Sequence, residues 1–346
     1  MMNDRLRLPA EWEEQDGVLL AWPHENTDWA YMLDEVTACF TEIAKAIAEE
    51  EKVVIVAPDV ELPRKCLASA GADMDKVIFV TLPTNDTWAR DFGPVSMSDG
   101  EATEFLDFKF NAWGLKFAAD KDNLITGNLY RKGVLRGNYR NCLGFVLEGG
   151  SIESDGKGTL LTTSECLLSP NRNGGMSQKE IEDYLMDRFN LKKVLWLDHG
   201  YLAGDDTDSH IDTLARLAPD DTIIYVGCDD LSDEHYEALH AMKLQLMDML
   251  TPEGKRFNLI ELPLPDAVYD EDGMRLPATY ANFLVMNRSV LMPSYGQPEK
   301  DLLASQILKI AFPDHEIRTI DCRALIRQHG SLHCVTMQLP KDTLPI

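Results

Sequence analysis

Apolar residues along this chain follow two rhythms that alternate. In five stretches they return every three or four positions, the spacing of one helix face, which predicts helices over 34–51, 61–70, 177–189, 232–249 and 300–312. Behind them come short β-branched runs: VVIVAP at 53–58, VIFVTLP at 77–83, VLWLDHG at 194–200, NLIELPLP at 258–265 and IRTIDC at 317–322. Runs of this kind that lead into turn formers read as strands entering loops. A polar loop then precedes a further strand: VSMSDG after Phe92, TLARL after Asp212, ANFLVMN after Tyr280 and VTMQLP after Cys334.

Three of those loops carry unusual polar residues at similar offsets. Asp91 follows Val77 by 14 residues, His210 follows Val194 by 16, and Cys334 follows Ile317 by 17. A fourth segment, LGFVLEGGSIESDGKGTLLTT, ends an apolar strand at Glu148 and continues into another strand. Units that repeat in structure but diverge in sequence would gather such loops around a common axis. A doubly wound sheet also converges its loops. Here each unit holds two or more strands per helix, and no glycine-rich phosphate loop is present. The pattern therefore predicts a closed α/β assembly of repeats in a single domain, 1–346, with no Ser/Gly linker dividing it.

Composition narrows the function. The chain has 346 residues, 33 basic against 58 acidic, for a net charge of −25. A sequence-independent nucleic-acid binder needs clustered Lys and Arg, so nucleic acid is not the expected partner. An anionic membrane surface is disfavoured for the same reason. A small cation would be concentrated near such a surface. No apolar run nears the ~20 residues that span a bilayer. The start, MMNDRLRLPAEWEEQDG, has no apolar stretch behind its basic residues, which predicts no secretory leader. Seven scattered cysteines without a CxxC pair predict reduced thiols and a cytoplasmic location rather than a disulfide framework.

Four segments concentrate the candidate chemistry. Gly204-Asp205-Asp206-Thr207-Asp208-Ser209-His210-Ile211-Asp212 packs acids around a histidine. It reads either as oxygen and nitrogen ligands for a divalent metal or as a proton-transfer imidazole beside a substrate-gripping carboxylate. In an extended strand His210 and Asp212 share one face. Gly330-Ser331-Leu332-His333-Cys334 offers a thiol that a distant histidine could partner. A neighbouring cation, either imidazolium or substrate, would favour its thiolate. His333, one residue away in the same strand, is expected on the opposite side as a packing or hydrogen-bonding residue. Trp88-Ala89-Arg90-Asp91-Phe92-Gly93-Pro94 offers a carboxylate for fork-to-fork binding of a guanidinium and an aromatic wall. Glu148 could orient or charge His210.

Taken in order, WARDFGP, LEGGSIESDG, DDTDSHID and SLHCVTMQ resemble the guanidine-group-modifying superfamily, in particular the agmatine deiminase and bacterial-type peptidylarginine deiminase family. The resemblance runs from AWPHENTDW at 21–29 to the last strand and includes FNAWG at 110–114, the agmatine deiminase form. It implies a five-fold pseudo-symmetric α/β propeller, the pentein fold, built from ββαβ-type units around a central active site. It also implies Cys334 as nucleophile, His210 as general acid and base, Glu148 beside the histidine, and Asp91 and Asp212 as guanidinium binders. Trp88 and Trp113 would wall the pocket. No metal or organic cofactor is implied, so the acidic cluster becomes a substrate site, and the assembly implied is a homodimer.

The chemistry suits those residues. Two carboxylates hold a planar guanidinium, the thiolate attacks its carbon, and the imidazole protonates departing ammonia and then activates water. The expected reaction converts agmatine and water to N-carbamoylputrescine and ammonia. Rival readings are deimination of peptidyl or free arginine, a metal-dependent hydrolase, and a non-catalytic binding module of the same fold. Two departures from the family pattern bear on loop shape. His329-Gly330 stands where a Gly-Gly pair is usual, and Ser209 where glycine often precedes the histidine.

Overall fold

The computed structural model describes residues 6–345; the first five residues of the start read above lie outside them. Sixteen strands form five separate sheets among the described residues. The first sheet holds β1 (Gln15–Ala21), β2 (Lys52–Ala57) and β3 (Val77–Thr81). The second holds β4 (Val95–Ser98), β5 (Thr103–Lys109) and β6 (Asn138–Val146), and the third β7 (Ile152–Ser154), β8 (Thr159–Thr163) and β9 (Lys193–Leu197). The fourth comprises β10 (Ala215–Ala218), β11 (Thr222–Gly227) and β12 (Asn258–Pro263). The fifth comprises β13 (Leu284–Val285), β14 (Ser289–Ser294) and β15 (Glu316–Asp321). The last strand, β16 (Met337–Pro340), returns to pair antiparallel with β1, joining the end of the chain to its beginning.

One pattern recurs in all five sheets. An antiparallel pair is followed by a helical crossover to a parallel third strand. The crossover helices are Leu33–Ala48, Ile125–Arg131, Gln178–Phe189, Tyr236–Asp248 and Pro298–Ala311, and in the first sheet a further helix, Glu61–Ser69, crosses from β2 to a second parallel strand, β3. Five of these six lie within a residue or a few of the predicted spans. The one at Ile125–Arg131 went unread because its short run, ITGNLYR, contains Gly and Asn and hardly repeats an apolar face. Leu33–Ala48 shows the usual logic: Val36, Phe40, Ile43, Ala44 and Ile47 fall on one face and are fully buried. Gln178–Phe189 is bounded by a Ser177–Glu180 capping box and by Asn190 at φ 52°. Val53–Val56 of β2 are fully buried, as expected for a strand covered on both faces.

The connections place the site. After the last parallel strand of each unit the chain enters a loop and then begins the next sheet. Asp91 lies between β3 and β4, Glu148 between β6 and β7, and His210 and Asp212 between β9 and β10. Asn282 lies between β12 and β13, and Cys334 between β15 and β16. Three predicted strands begin later than read. ANFLVMN is a strand only at Leu284–Val285, TLARL begins its strand at Ala215, and VTMQLP begins its strand at Met337. Among the described residues, no helix is long and apolar enough to cross a membrane.

Candidate active site

Short helical turns, rather than strands, present the reactive side chains. Asp91 sits in the turn Ala89–Phe92, His210 caps the turn Ile211–Leu214, and Cys334 lies in the 3-10 turn His333–Val335. Strand alternation therefore does not govern these loops. The one-face argument for His210 and Asp212 does not apply, and His333 is not turned away from the site by alternation.

Three groups converge beside Gly150. An ideal Cβ built there would lie 2.7 Å from His210 Nδ1, 2.8 Å from Asp91 Oδ1 and 3.1 Å from Asp212 Oδ2. His210 Nδ1 is 3.7 Å from Asp91 Oδ1. Asp91 is held from two sides: its Oδ2 accepts from Trp113 Nε1 at 2.9 Å, and its Oδ1 from the Gly150 amide at 3.0 Å. Burial pushes its carboxyl well above the ordinary carboxylate range, and the charges of Asp212 and Glu148 add to that, against the Trp113 and Gly150 hydrogen bonds. Asp212 is fully buried; its Oδ2 accepts from His333 Nδ1 at 2.8 Å, while its Oδ1 has no partner. Burial acts to raise the Asp212 carboxyl, yet the hydrogen bond and charge of His333, with His210 and Arg216, outweigh it and hold it below its usual value.

His210 is buried, and its Nε2 makes no hydrogen bond. Burial carries its imidazole down to about 3, with the Arg172 cation adding to that effect and Asp212 opposing it. The resting ring is thus neutral. Glu148 is fully buried, with a carboxylate oxygen within 4.8 Å of a His210 ring nitrogen. Its direct partner is Arg172, whose Nε lies 3.0 Å from both carboxylate oxygens. Burial raises the Glu148 carboxyl, and the Arg172 charge partly offsets this.

Cys334 is buried, and its backbone amide and Sγ lie 3.3 Å and 3.4 Å from Asn282 Oδ1. Burial drives its thiol well above the usual value, and the charges of Asp212 and Asp91 push the same way. Two carboxylates beside a thiol disfavour its thiolate until a cation lies between them.

A cavity of about 190 Å³ opens onto Cys334 and Asp91 and is lined by Trp88, Trp113, Phe117 and His329, with Asp28, Asp86 and Asp206 also on its wall. Trp88 packs against Gly330, where a Cβ would come within 2.1 Å of the indole, and edge-on to Trp113 at 6.4 Å. Trp113 (φ 54°) lies in a run of left-handed residues with Ala112 and Leu115. Such backbone is costly for residues with a Cβ, and it is stored where a site demands it. Ser209 (φ 59°) and His329 (φ 68°) are left-handed too. Glycine adopts that conformation without the steric cost that a Cβ brings.

The acidic cluster does not converge as a ligand set. Asp205 accepts from the amide and hydroxyl of Thr207 and the amide of Ser209. Asp208 pairs with Lys116 and Arg172, Asp206 faces the cavity, and Asp212 turns to His333. Asn282 and Arg172 went unread in the sequence. Asn282 had one signal, its place in the loop of the fourth repeat; Arg172, in SPNRNGG, had none.

The chain was compared with known proteins. Residues 7–340 match the model of a family described as Porphyromonas-type peptidyl-arginine deiminase. A solved structure from Porphyromonas gingivalis, provisionally called an arginine deiminase, is 49% identical with a TM-score of 0.92, covering 98% of this chain and 99% of that one. An agmatine deiminase of C. jejuni with substrate bound is 38% identical with a TM-score of 0.89, covering 98% and 97%. A Pseudomonas aeruginosa (strain LESB58) protein named agmatine deiminase is 33% identical over 360 residues, 97% of this chain and 96% of that protein.

Proposed function

We propose that this chain, which belongs to the Porphyromonas-type peptidyl-arginine deiminase family and is a hydrolase of the guanidine-deiminase class, acts on agmatine. The observation that carries the agmatine reading is the acidic wall of the cavity, Asp28, Asp86 and Asp206. Burial, and then the charge of Asp28, pushes the half-buried Asp86 carboxyl up to about 7. Burial and Asp205 push Asp206 to about 6. Carboxyls raised in this way gain from a nearby cation and repel an anion. A substrate with an ammonium at its far end is favoured over one with a carboxylate there. Lys116, the nearby cation, is already engaged by Asp208 at 2.8 Å.

In this reading Asp91 and Asp212 grip the guanidinium, and the free Asp212 Oδ1 accepts from one of its nitrogens. Trp88 and Trp113 wall the alkyl chain. The substrate's charge between the two acids offsets the part of the penalty on the Cys334 thiolate that those acids impose. The thiol proton passes to neutral His210 as Sγ attacks the guanidinium carbon, and His210 delivers it to the nitrogen that leaves as ammonia. An S-alkylthiouronium remains. His210 then takes a proton from water, whose hydroxide adds to the same carbon; collapse breaks the C–S bond, the hydroxyl proton passes to the departing sulfur, N-carbamoylputrescine remains, and His210 gives up its proton to the released ammonia. Glu148, held by Arg172, stands near the imagined imidazolium and favours its charged form. The recurrence of one ββαβ pattern in five sheets, each unit sending a loop residue to this centre, supports a five-fold propeller about the site.

The P. gingivalis name favours a second reading, free arginine, because that structure has the higher identity. Ammonia release from agmatine, arginine and a short arginine peptide decides between them. Agmatine should give the highest kcat/KM; a higher value with arginine or the peptide would overturn the agmatine assignment.

A further inference from the structure

His333 occupies an arrangement that packing alone does not require. Its Nδ1 meets Asp212 Oδ2 at 2.8 Å, and its Nε2 meets Glu11 Oε2 at 2.7 Å. Each ring nitrogen thus lies against a carboxylate oxygen, and Arg216 Nη2 stands 3.1 Å from the same Nε2. The backbone is pinned as well: the His333 amide donates to Asn282 Oδ1 at 2.9 Å, and Arg90 Nε donates to its carbonyl at 3.4 Å. Glu11 is anchored in turn. Its Oε1 accepts from the Val285 amide at 2.7 Å, and its Oε2 accepts from Arg216 Nη2 at 2.8 Å. His333 and Asp212 are almost fully buried, and Glu11 is 8% exposed. The charged groups facing the imidazole are Asp212, Glu11 and Arg216, with Arg90 and Glu153 completing the cluster.

We propose that His333 is a positioning residue of the reaction: fixed by Glu11 through one ring nitrogen, it clamps Asp212 through the other, so that this carboxylate meets the substrate guanidinium ionised and with Oδ1 free. The role rests on the guanidine-deiminating reading, in which Asp212 grips the substrate. It differs from a packing role in one respect. Removing the imidazole's bond to Asp212 should impair that carboxylate and not merely loosen the core. The first described residues of the chain thereby take part in the site, since Glu11 precedes the first strand.

The test compares His333→Gln and Glu11→Gln with wild type, after circular dichroism and melting show that both variants fold. Agmatine turnover gives kcat/KM from pH 6 to 9. Calorimetric titration of agmatine into Cys334→Ala and Cys334→Ala/His333→Gln gives affinity without turnover. Loss of His333 removes the hydrogen bond and the charge that chiefly oppose burial at Asp212 and leaves only His210 and Arg216 against it, so its carboxyl holds a proton to higher pH. We expect His333→Gln to lose kcat/KM on the order of 10–100-fold, the scale seen for groups that orient a site ligand. The loss should be deepest at pH 6 and shrink towards pH 9, with a matching loss of affinity, and Glu11→Gln should fall between. Folded variants with unchanged KM and affinity, or a loss equal at every pH, would overturn the proposal. A wild-type chain that releases ammonia from no guanidine would instead sink the parent reading, and this one with it.

Discussion

Gly150→Ala probes the site through a single methyl group. Gly150 is not among the residues with a left-handed backbone, so alanine meets no conformational penalty there. The Gly150 amide that donates to Asp91 Oδ1 is also kept. What changes is space. The new Cβ would stand 2.7 Å from His210 Nδ1 and 2.8 Å from Asp91 Oδ1, with Asp212 Oδ2 at 3.1 Å. Ordinary contact for such pairs is about 3.4 Å or more, so the imidazole and both carboxylates must retreat by several tenths of an ångström. Overpacking of this kind costs about 1–3 kcal/mol. With about 2.1 cal/mol/K of unfolding entropy per residue, that lowers Tm by roughly 1–4 °C. Catalysis should suffer far more, because a misplacement near 1 Å costs about 100-fold. We expect kcat/KM for agmatine to fall by about two orders of magnitude while circular dichroism stays native. A folded variant within twofold of wild type would show that these three groups do not frame the reacting guanidinium.

Other outcomes follow from the same geometry. Cys334→Ala should abolish ammonia release with little change in Tm, and a haloacetamidine should label the wild-type thiol but leave the variant unmodified by intact-mass measurement. Arg172→Ala leaves Glu148 buried without its cation, a change that costs about 3–5 kcal/mol for a broken buried pair; thermal melting should show it, and activity should fall because Arg172 also holds Asp208 and the Thr207 carbonyl. Glu51 tests the pH sign away from the site. Burial, then Glu50, Asp16 and Glu11, push its carboxyl up to about 8 against the Asn287 amide, and its Oε2 has no partner. A raised carboxyl binds its proton in the fold but not in the unfolded chain, so stability falls as pH rises from its ordinary value through about 8. Glu51→Gln should therefore raise Tm more at pH 9 than at pH 5; an equal shift at both would refute the assignment.

Much of the architecture was readable because its signals are local. Helix periodicity and β-branched runs depend on neighbours within a few positions, and five of the six crossover helices follow from them. The loops with Asp91, Glu148, His210, Asp212 and Cys334 stood out because acids, a histidine and a thiol gathered near strand ends at recurring offsets. The structure brings Asp91, His210 and Asp212 together beside Gly150, and Cys334 with Asp91 in one cavity. It sets Glu148 near the histidine but pairs it with Arg172.

What remained hidden was everything that depends on which distant groups share a buried space. Asn282 and Arg172 went unread, and His333 was expected as a packing or hydrogen-bonding residue on the far side of Cys334. Their roles come from partners some 24 to 322 positions away, such as Glu148 for Arg172 and Glu11 for His333. No local pattern encodes such pairings, since chain separation says nothing of contact once the fold closes. The protonation of these groups was settled at the same level. Composition set the chain's net negative charge, but only the tertiary structure decided that burial would raise Asp91 and Cys334 and that His333 would keep Asp212 low, because desolvation and charge pairing act through space and not along the chain.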